Sequence, residues 1–207
     1  MLTLYGHSSH TAANILKIRA ALAEAKVESA FVAVDLAGGK QHEPSFKAIN
    51  PHAKVPVLVD GDFVLPESDA ILWYIAESYP EANLLPHDPQ GRARVLQWCD
   101  FASTSLYVAS YEIYLHTSWG DAANHSAFVA ERGRASLVRA MDVLEQRLAG
   151  REFVATDAFT IADYGVAAVL HMLVTREHIK LADYPTTAAY VERIASRPAW
   201  QKAMGPL

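Results

Sequence analysis

The spacing of apolar positions changes character near residue 80. Before it, short apolar runs alternate with helical stripes. Residues 2–5 predict a strand and residues 6–11 a polar loop. Ile15, Ile18, Leu22 and Ala25 then mark one face of a helix. Thr11 is the N-cap candidate of that helix, since its hydroxyl can accept from an N–H two or three residues on. Residues 30–34 form a continuous apolar run, the pattern of a strand covered on both faces. Strand, helix and strand within about 35 residues predict a right-handed parallel crossover. A flexible segment begins at Gly38-Gly39-Lys40, and residues 44–49 allow a short helix. Residues 57–59 and 63–65 flank Asp60-Gly61-Asp62, which predicts a hairpin. Pro56 stands at the start of its first strand, where a missing N–H is tolerated. Pro66-Glu67-Ser68-Asp69 opens an amphipathic helix reaching residue 79.

Pro80, Pro86 and Pro89, around Leu84-Leu85, read as a linker, and no strand pattern follows Gly91. Val95, Trp98, Cys99, Ala102, Leu106, Ala109 and Ile113 mark one face of a long helix. Val138, Met141, Leu144 and Leu148 mark another, with Gly150 as its C-cap. Thr160 and Asp163 have the makings of a short capping box, and Phe159 and Tyr164 of a hydrophobic staple. The helix behind them is apolar almost all round, which predicts a central place in a bundle. Tyr190, Ile194 and Ala195 mark a final helix, ended by Arg197-Pro198. The expected architecture is α/β plus all-α: a domain over 1–80, a linker over 81–90 and a helical domain over 91–207.

Composition narrows the chemistry. The chain has 207 residues, 51% of them hydrophobic, enough for a sizeable core. A net charge of −5 with scattered basic residues speaks against nucleic acid as a main partner. The single cysteine, Cys99, excludes an internal disulfide and a cysteine-based zinc cluster, and suits a reducing compartment. On the apolar face of its helix it reads as an inert buried thiol. The N-terminus is strand-like and shows no signal segment. The longest apolar run, residues 161–174, is too short to span a bilayer. His7 and His10 make a poor metal site without a carboxylate nearby, so no metal is expected. The corner at residues 66–69 reads most simply as a hairpin packed on a helix. Its free N–H groups could also hold a small carboxylate.

Four pieces, in this order and spacing, resemble the cytosolic glutathione S-transferase superfamily over essentially the whole chain. They are Leu4-Tyr5-Gly6 leading into Lys17-Ile18-Arg19; Asn50-Pro51 followed by Lys54-Val55-Pro56-Val57-Leu58; Glu67-Ser68-Asp69-Ala70-Ile71; and Thr160-Ile161-Ala162-Asp163. The resemblance implies a thioredoxin-like N-terminal domain, a C-terminal α-helical bundle, a cytoplasmic homodimer and glutathione as co-substrate. It implies a cis peptide at Pro56, with the Val55 main chain pairing with the glutathione backbone as an added strand would. Ser68 and the helix N–H groups would take the γ-glutamyl carboxylate, and Glu67 its ammonium. Lys54 lies near the position for the glycyl end. Gln41 and His42 fall where relatives place polar groups for the same carboxylate, with Lys40 a neighbour that could substitute, although a solvated loop explains Lys40 and His42 equally well.

Catalysis in such a protein lowers the thiol pKa of glutathione from about 8.5, because the thiolate is the nucleophile. A donor aimed at sulfur and the first helix N-terminus would do this. Counted back from Lys17, the serine position of related proteins falls on Ala12; counted forward from Tyr5, it falls on His10. The loop is longer than usual, and the donor is open among Ser9, Thr11 and Asn14, a serine/asparagine-like arrangement. Tyr5 lies too early to be the catalytic tyrosine of other classes and reads as a strand residue. Asp100 reads as a surface charge, or as an acid reaching across a dimer. His7, Tyr107, Tyr111, Tyr114 and Trp119 are candidates for the pocket of a small hydrophobic electrophile, although core or dimer packing accounts for aromatics too. The expected activity is glutathione transfer. The alternatives are a glutathione-dependent disulfide reductase or peroxidase of the same fold, or a non-catalytic binding protein.

Overall fold

The computed structural model describes residues 1–9 and 12–206, which form two compact units: residues 1–85 with 196–207, and residues 86–195. The first unit contains β1 (Leu2–Gly6), α1 (Ala13–Glu24), β2 (Ser29–Ala33), α2 (Pro44–Ile49), β3 (Val57–Asp60), β4 (Phe63–Pro66) and α3 (Ser68–Ser78). Its sheet has the order β2-β1-β3-β4, with β1 and β2 parallel and the other neighbours antiparallel. This is the thioredoxin-like half of the expected fold. Asp60 pairs with Phe63, leaving Gly61-Asp62 as a two-residue turn. Gly61 has φ +59°, a backbone region that glycine enters without a Cβ penalty. A core of Val34, Phe46 and Val57, with Tyr5, Leu36, Ile49 and Val55 against it, joins the sheet to α2.

Two expectations need correction here. The run over 30–34 is not covered on both faces. It belongs to β2, an edge strand that pairs with β1 alone, and Val32 and Ala33 are exposed. Arg197-Pro198 does not end the last helix either. Pro198 opens a further helix, α9 (Pro198–Met204), because a proline at the first helical position loses no intrahelical bond. This helix packs on α1. Arg197 pairs with Glu24, and Arg19 donates to the carbonyls of Gly205 (3.1 Å) and Pro206 (3.0 Å).

The second unit is helical: α4 (Pro89–Phe101), a π-helical stretch (Ala102–Tyr107), α5 (Val108–Thr117), α6 (Ala127–Leu148), α7 (Ile161–Thr175) and α8 (Pro185–Ala195). Asp88 caps α4, accepting from the Gly91 N–H at 2.7 Å. All seven stripe positions from Val95 to Ile113 are buried, across α4, the π stretch and α5. On α6, Met141, Leu144 and Leu148 are buried, but Val138 is 51% exposed. Leu137, one step round the helix, takes the inward position instead. Gly150, at φ +71°, follows the end of α6. Ten consecutive residues from Ile161 to Leu170 are buried, which gives α7 the expected central place.

Candidate functional site

Sheet register collects the sequence candidates of the first unit. Tyr5 pairs with Val57, and Val57 with Pro66. Three segments therefore leave one end of the sheet together: residues 7–9 after β1, residues 54–56 before β3, and residues 67–69 after β4. A fourth leaves the same end, because Val34 N donates to Gly6 O at 2.8 Å as the chain exits β2 towards residues 40–42.

The approach to β3 is fixed by a side chain that had no assigned role. Asn50 is 2% exposed; its Nδ2 donates to the Lys54 carbonyl (2.8 Å) and its Oδ1 accepts from the His52 N–H (3.1 Å). The Val55–Pro56 peptide is cis. Lys54 is exposed, Val55 half-buried and Pro56 buried.

Glu67 and Ser68 form the corner between β4 and α3. Glu67 is the N-cap, with φ +73° and ψ 115°, and makes no side-chain cap bond. Ser68 is buried in the first turn. A glutamate at positive φ costs on the order of 1 kcal/mol and persists only where the surroundings impose it. Ala53, at φ +53°, is the matching case on the other side of the hairpin. No side-chain pattern marks either position.

Asp69 explains how α1 and α3 are held. Lys17, 1% exposed, reaches from α1 and its Nζ lies 2.6 Å from Asp69 Oδ1. An ammonium this deep needs its partner, since an unpaired buried charge is strongly destabilising. Sequence spacing gave Lys17 and Asp69 only as parts of separate motifs; their 52-residue separation hid the pair.

The other candidates divide. His7 Nδ1 accepts from the Ser9 N–H at 2.9 Å, which bends the loop before α1. Ser9 and Asn14 are half-buried. Thr11 lies outside the described residues, as does His10. The N-cap of α1 is Ala12, without a side-chain cap bond. Asn14 therefore stands in a first turn whose leading N–H groups face outward with positive partial charge. Lys40 Nζ is 2.7 Å from Glu43 Oε1, and this contact pushes its pKa up. Gln41 donates from Nε2 to the Leu36 carbonyl (3.3 Å), while its buried Oε1 has no partner among the described residues. His42 is exposed.

In the second unit, Tyr107, Tyr111 and Tyr114 stand on one stripe of the π stretch and α5. The rings of Tyr107 and Tyr111 stack at 6.1 Å. Burial pushes the Tyr107 phenol up in pKa, against the opposing pull of Arg176. Trp119 does not join them: it lies beyond α5, 57% exposed, its carbonyl 3.0 Å from His125 Nε2. Asp100 is exposed and Cys99 buried. No described group of three or more His, Cys, Asp or Glu residues is placed to hold a metal ion. No described helix is long and apolar enough to cross a membrane.

Comparison with known proteins matches both halves. A model of the glutathione S-transferase N-terminal domain matches residues 1–77, and one of the C-terminal domain residues 108–198. The chain is 32% identical over 214 residues to glutathione S-transferase 3 of Zea mays, covering 100% of this chain and 94% of that one. It is 32% identical over 195 residues to glutathione S-transferase F10 of Arabidopsis thaliana, covering 87% of each. Among solved structures, a delta-class glutathione transferase of Nilaparvata lugens is 28% identical with a TM-score of 0.88, covering 98% of this chain and 92% of that one. A glutathione transferase of Burkholderia graminis, with two glutathione molecules bound per subunit, is 27% identical with a TM-score of 0.87, covering 98% and 87%. Sheet order, the cis-proline strand and sequence identity over both halves lead to one conclusion: the chain belongs to the glutathione S-transferase family.

Proposed function

We propose that the protein is a glutathione transferase that binds glutathione at the end of the first unit's sheet and presents its thiolate to a small hydrophobic electrophile. The convergence of four segments on that end carries the reading, with Val55–Pro56 ahead of β3 and Ser68 in the first turn of α3. The Val55 main chain would bind the peptide backbone of glutathione as an added strand. Ser68 and the α3 N–H groups would take the γ-glutamyl carboxylate, and Glu67 the ammonium. Lys54 and Gln41 would serve the glycyl carboxylate, with Lys40 and His42 as neighbours. Gln41 would serve through the second Nε2–H, the first being given to the Leu36 carbonyl. The sulfur donor is one of Ser9, Thr11 and Asn14, beside the uncapped start of α1. Tyr107, Tyr111 and Tyr114 would line the electrophile site.

The working form would be a cytoplasmic homodimer. Leu96, Val108, Val138 and Val143 are exposed on α4, α5 and α6, an apolar face that a second copy would cover.

Two rates measured side by side test the activity: conjugation of glutathione to a chloro-nitrobenzene, and glutathione-dependent reduction of a mixed disulfide. Conjugation dominating is the expected result. Reduction dominating, or neither reaction with no retention on glutathione resin, would overturn it.

A further inference from the structure

The second unit holds a cation that pairs with no acidic side chain among the described residues. Arg176 follows α7 directly. Its guanidinium carbon lies 4.2 Å from the centroid of the Tyr114 ring, a cation–π contact. Its buried Nη1 has no hydrogen-bond partner among the described residues, and no acidic side chain among them pairs with it. Three other arginines of this unit give a contrast. Arg132 pairs with Glu112 at 2.6 Å, Arg134 with Glu131 at 3.3 Å, and Arg147 donates to the carbonyls of Val154 and Ala155.

The backbone holds Arg176 in place. Glu177, at φ +57°, turns the chain, and His178 N donates back to Leu173 O at 2.9 Å. The His178 ring then meets α5, its Nδ1 2.9 Å from the hydroxyl of fully buried Ser110. Arg176 and His178 thus both seat on α5, either side of one turn of chain. A planar, permanently charged fork on Tyr114, close enough to Tyr107 to act on its phenol, matches one ligand chemistry, an aromatic body carrying a carboxylate.

We propose that Arg176 is the anion-recognition residue of the electrophile site and that the preferred second substrates are aromatic acids. This rests on reading the α5 tyrosines as the wall of that site. Bound carboxylate would meet the accessible edge of the half-buried guanidinium, and the ring would lie along the tyrosines.

The test is calorimetric and leaves glutathione out, so a failure of glutathione chemistry cannot be confused with a failure here. The whole protein is titrated with 4-nitrobenzoate and with its methyl ester. The acid is expected to bind at least about tenfold tighter than the ester. Arg176→Gln should abolish that preference and leave ester affinity within about twofold. Arg176→Lys, which keeps charge but not the fork, should retain part of it. Equal affinity of acid and ester in the unaltered protein would overturn the proposal. So would absence of acid binding at about 10 mM, or loss of acid and ester binding together in both variants.

Discussion

At the scale of single residues, the site depends on side chains whose roles differ in legibility. The role proposed for Ser68 comes from its neighbours, a serine at a helix start beside a glutamate. A hydrogen bond to a charged group is worth about 1.5–3 kcal/mol. Ser68→Ala should therefore raise the KM for glutathione by about tenfold or more, with kcat little changed, in steady-state kinetics. An unchanged KM would remove Ser68 from the site. The Lys17–Asp69 pair was hidden, since nothing local shows that a helix lysine is buried to 1%. Asp69 is itself partly exposed, at 26%, which tempers the cost of losing it. Asp69→Ala should still cost about 2–4 kcal/mol by urea unfolding, because it strands the ammonium. Lys17→Met with Asp69→Ala should recover most of the loss. Additive losses would mean that the two residues do not act as a pair. Glu67 and Ala53 were illegible in a different way: positive φ at a non-glycine residue is imposed by the surroundings and leaves no mark in the side chain.

At the scale of elements, periodicity predicted well wherever burial is one-sided and failed where topology decides. The α4–α5 stripe kept its inward face through the π-helical stretch, because every position on it is apolar. The run over 30–34 misled, since a continuous apolar run does not say whether the strand is central or at an edge. The capping box was fully legible, and its carboxylate does more than cap. Asp163 Oδ2 accepts from the Thr160 N–H (2.8 Å). Its Oδ1 accepts from the Val154 N–H (2.9 Å) and the Tyr190 hydroxyl (3.1 Å). Phe159 packs edge-on against Tyr164 at 4.8 Å, closing the staple. Burial raises the Asp163 pKa from an ordinary 3.8 to about 6, outweighing these hydrogen bonds. A folded-state pKa above the unfolded one gives stability that is complete below pH 3.8 and lost as pH rises through 6. The stability difference between the unaltered protein and Asp163→Asn should shrink over that window, by about 3 kcal/mol. A difference independent of pH would show that Asp163 stays ionised throughout. Asp163→Ala, which leaves these buried donors unsatisfied, should cost about 3 kcal/mol or more.

At the scale of the whole molecule, the two-part organisation was legible in composition: strand patterns stop near the prolines at 80, 86 and 89. The return of residues 196–207 to the first unit was not, because contacts such as Arg19 with Gly205 and Pro206 join positions almost the full chain apart. The family was legible because its motifs sit on both halves. The sulfur donor was not, because the loop after β1 shifts the count by two residues. The central claim, that this chain binds glutathione and makes it a nucleophile, reduces to one property of the bound thiol. Ultraviolet absorbance of the thiolate, titrated with pH at saturating glutathione, measures it directly. The bound thiol should titrate at least about one unit below its free value near 8.5, with Ser9→Ala, Thr11→Ala or Asn14→Ala moving it back up. A thiol that titrates as it does in free solution would contradict the account.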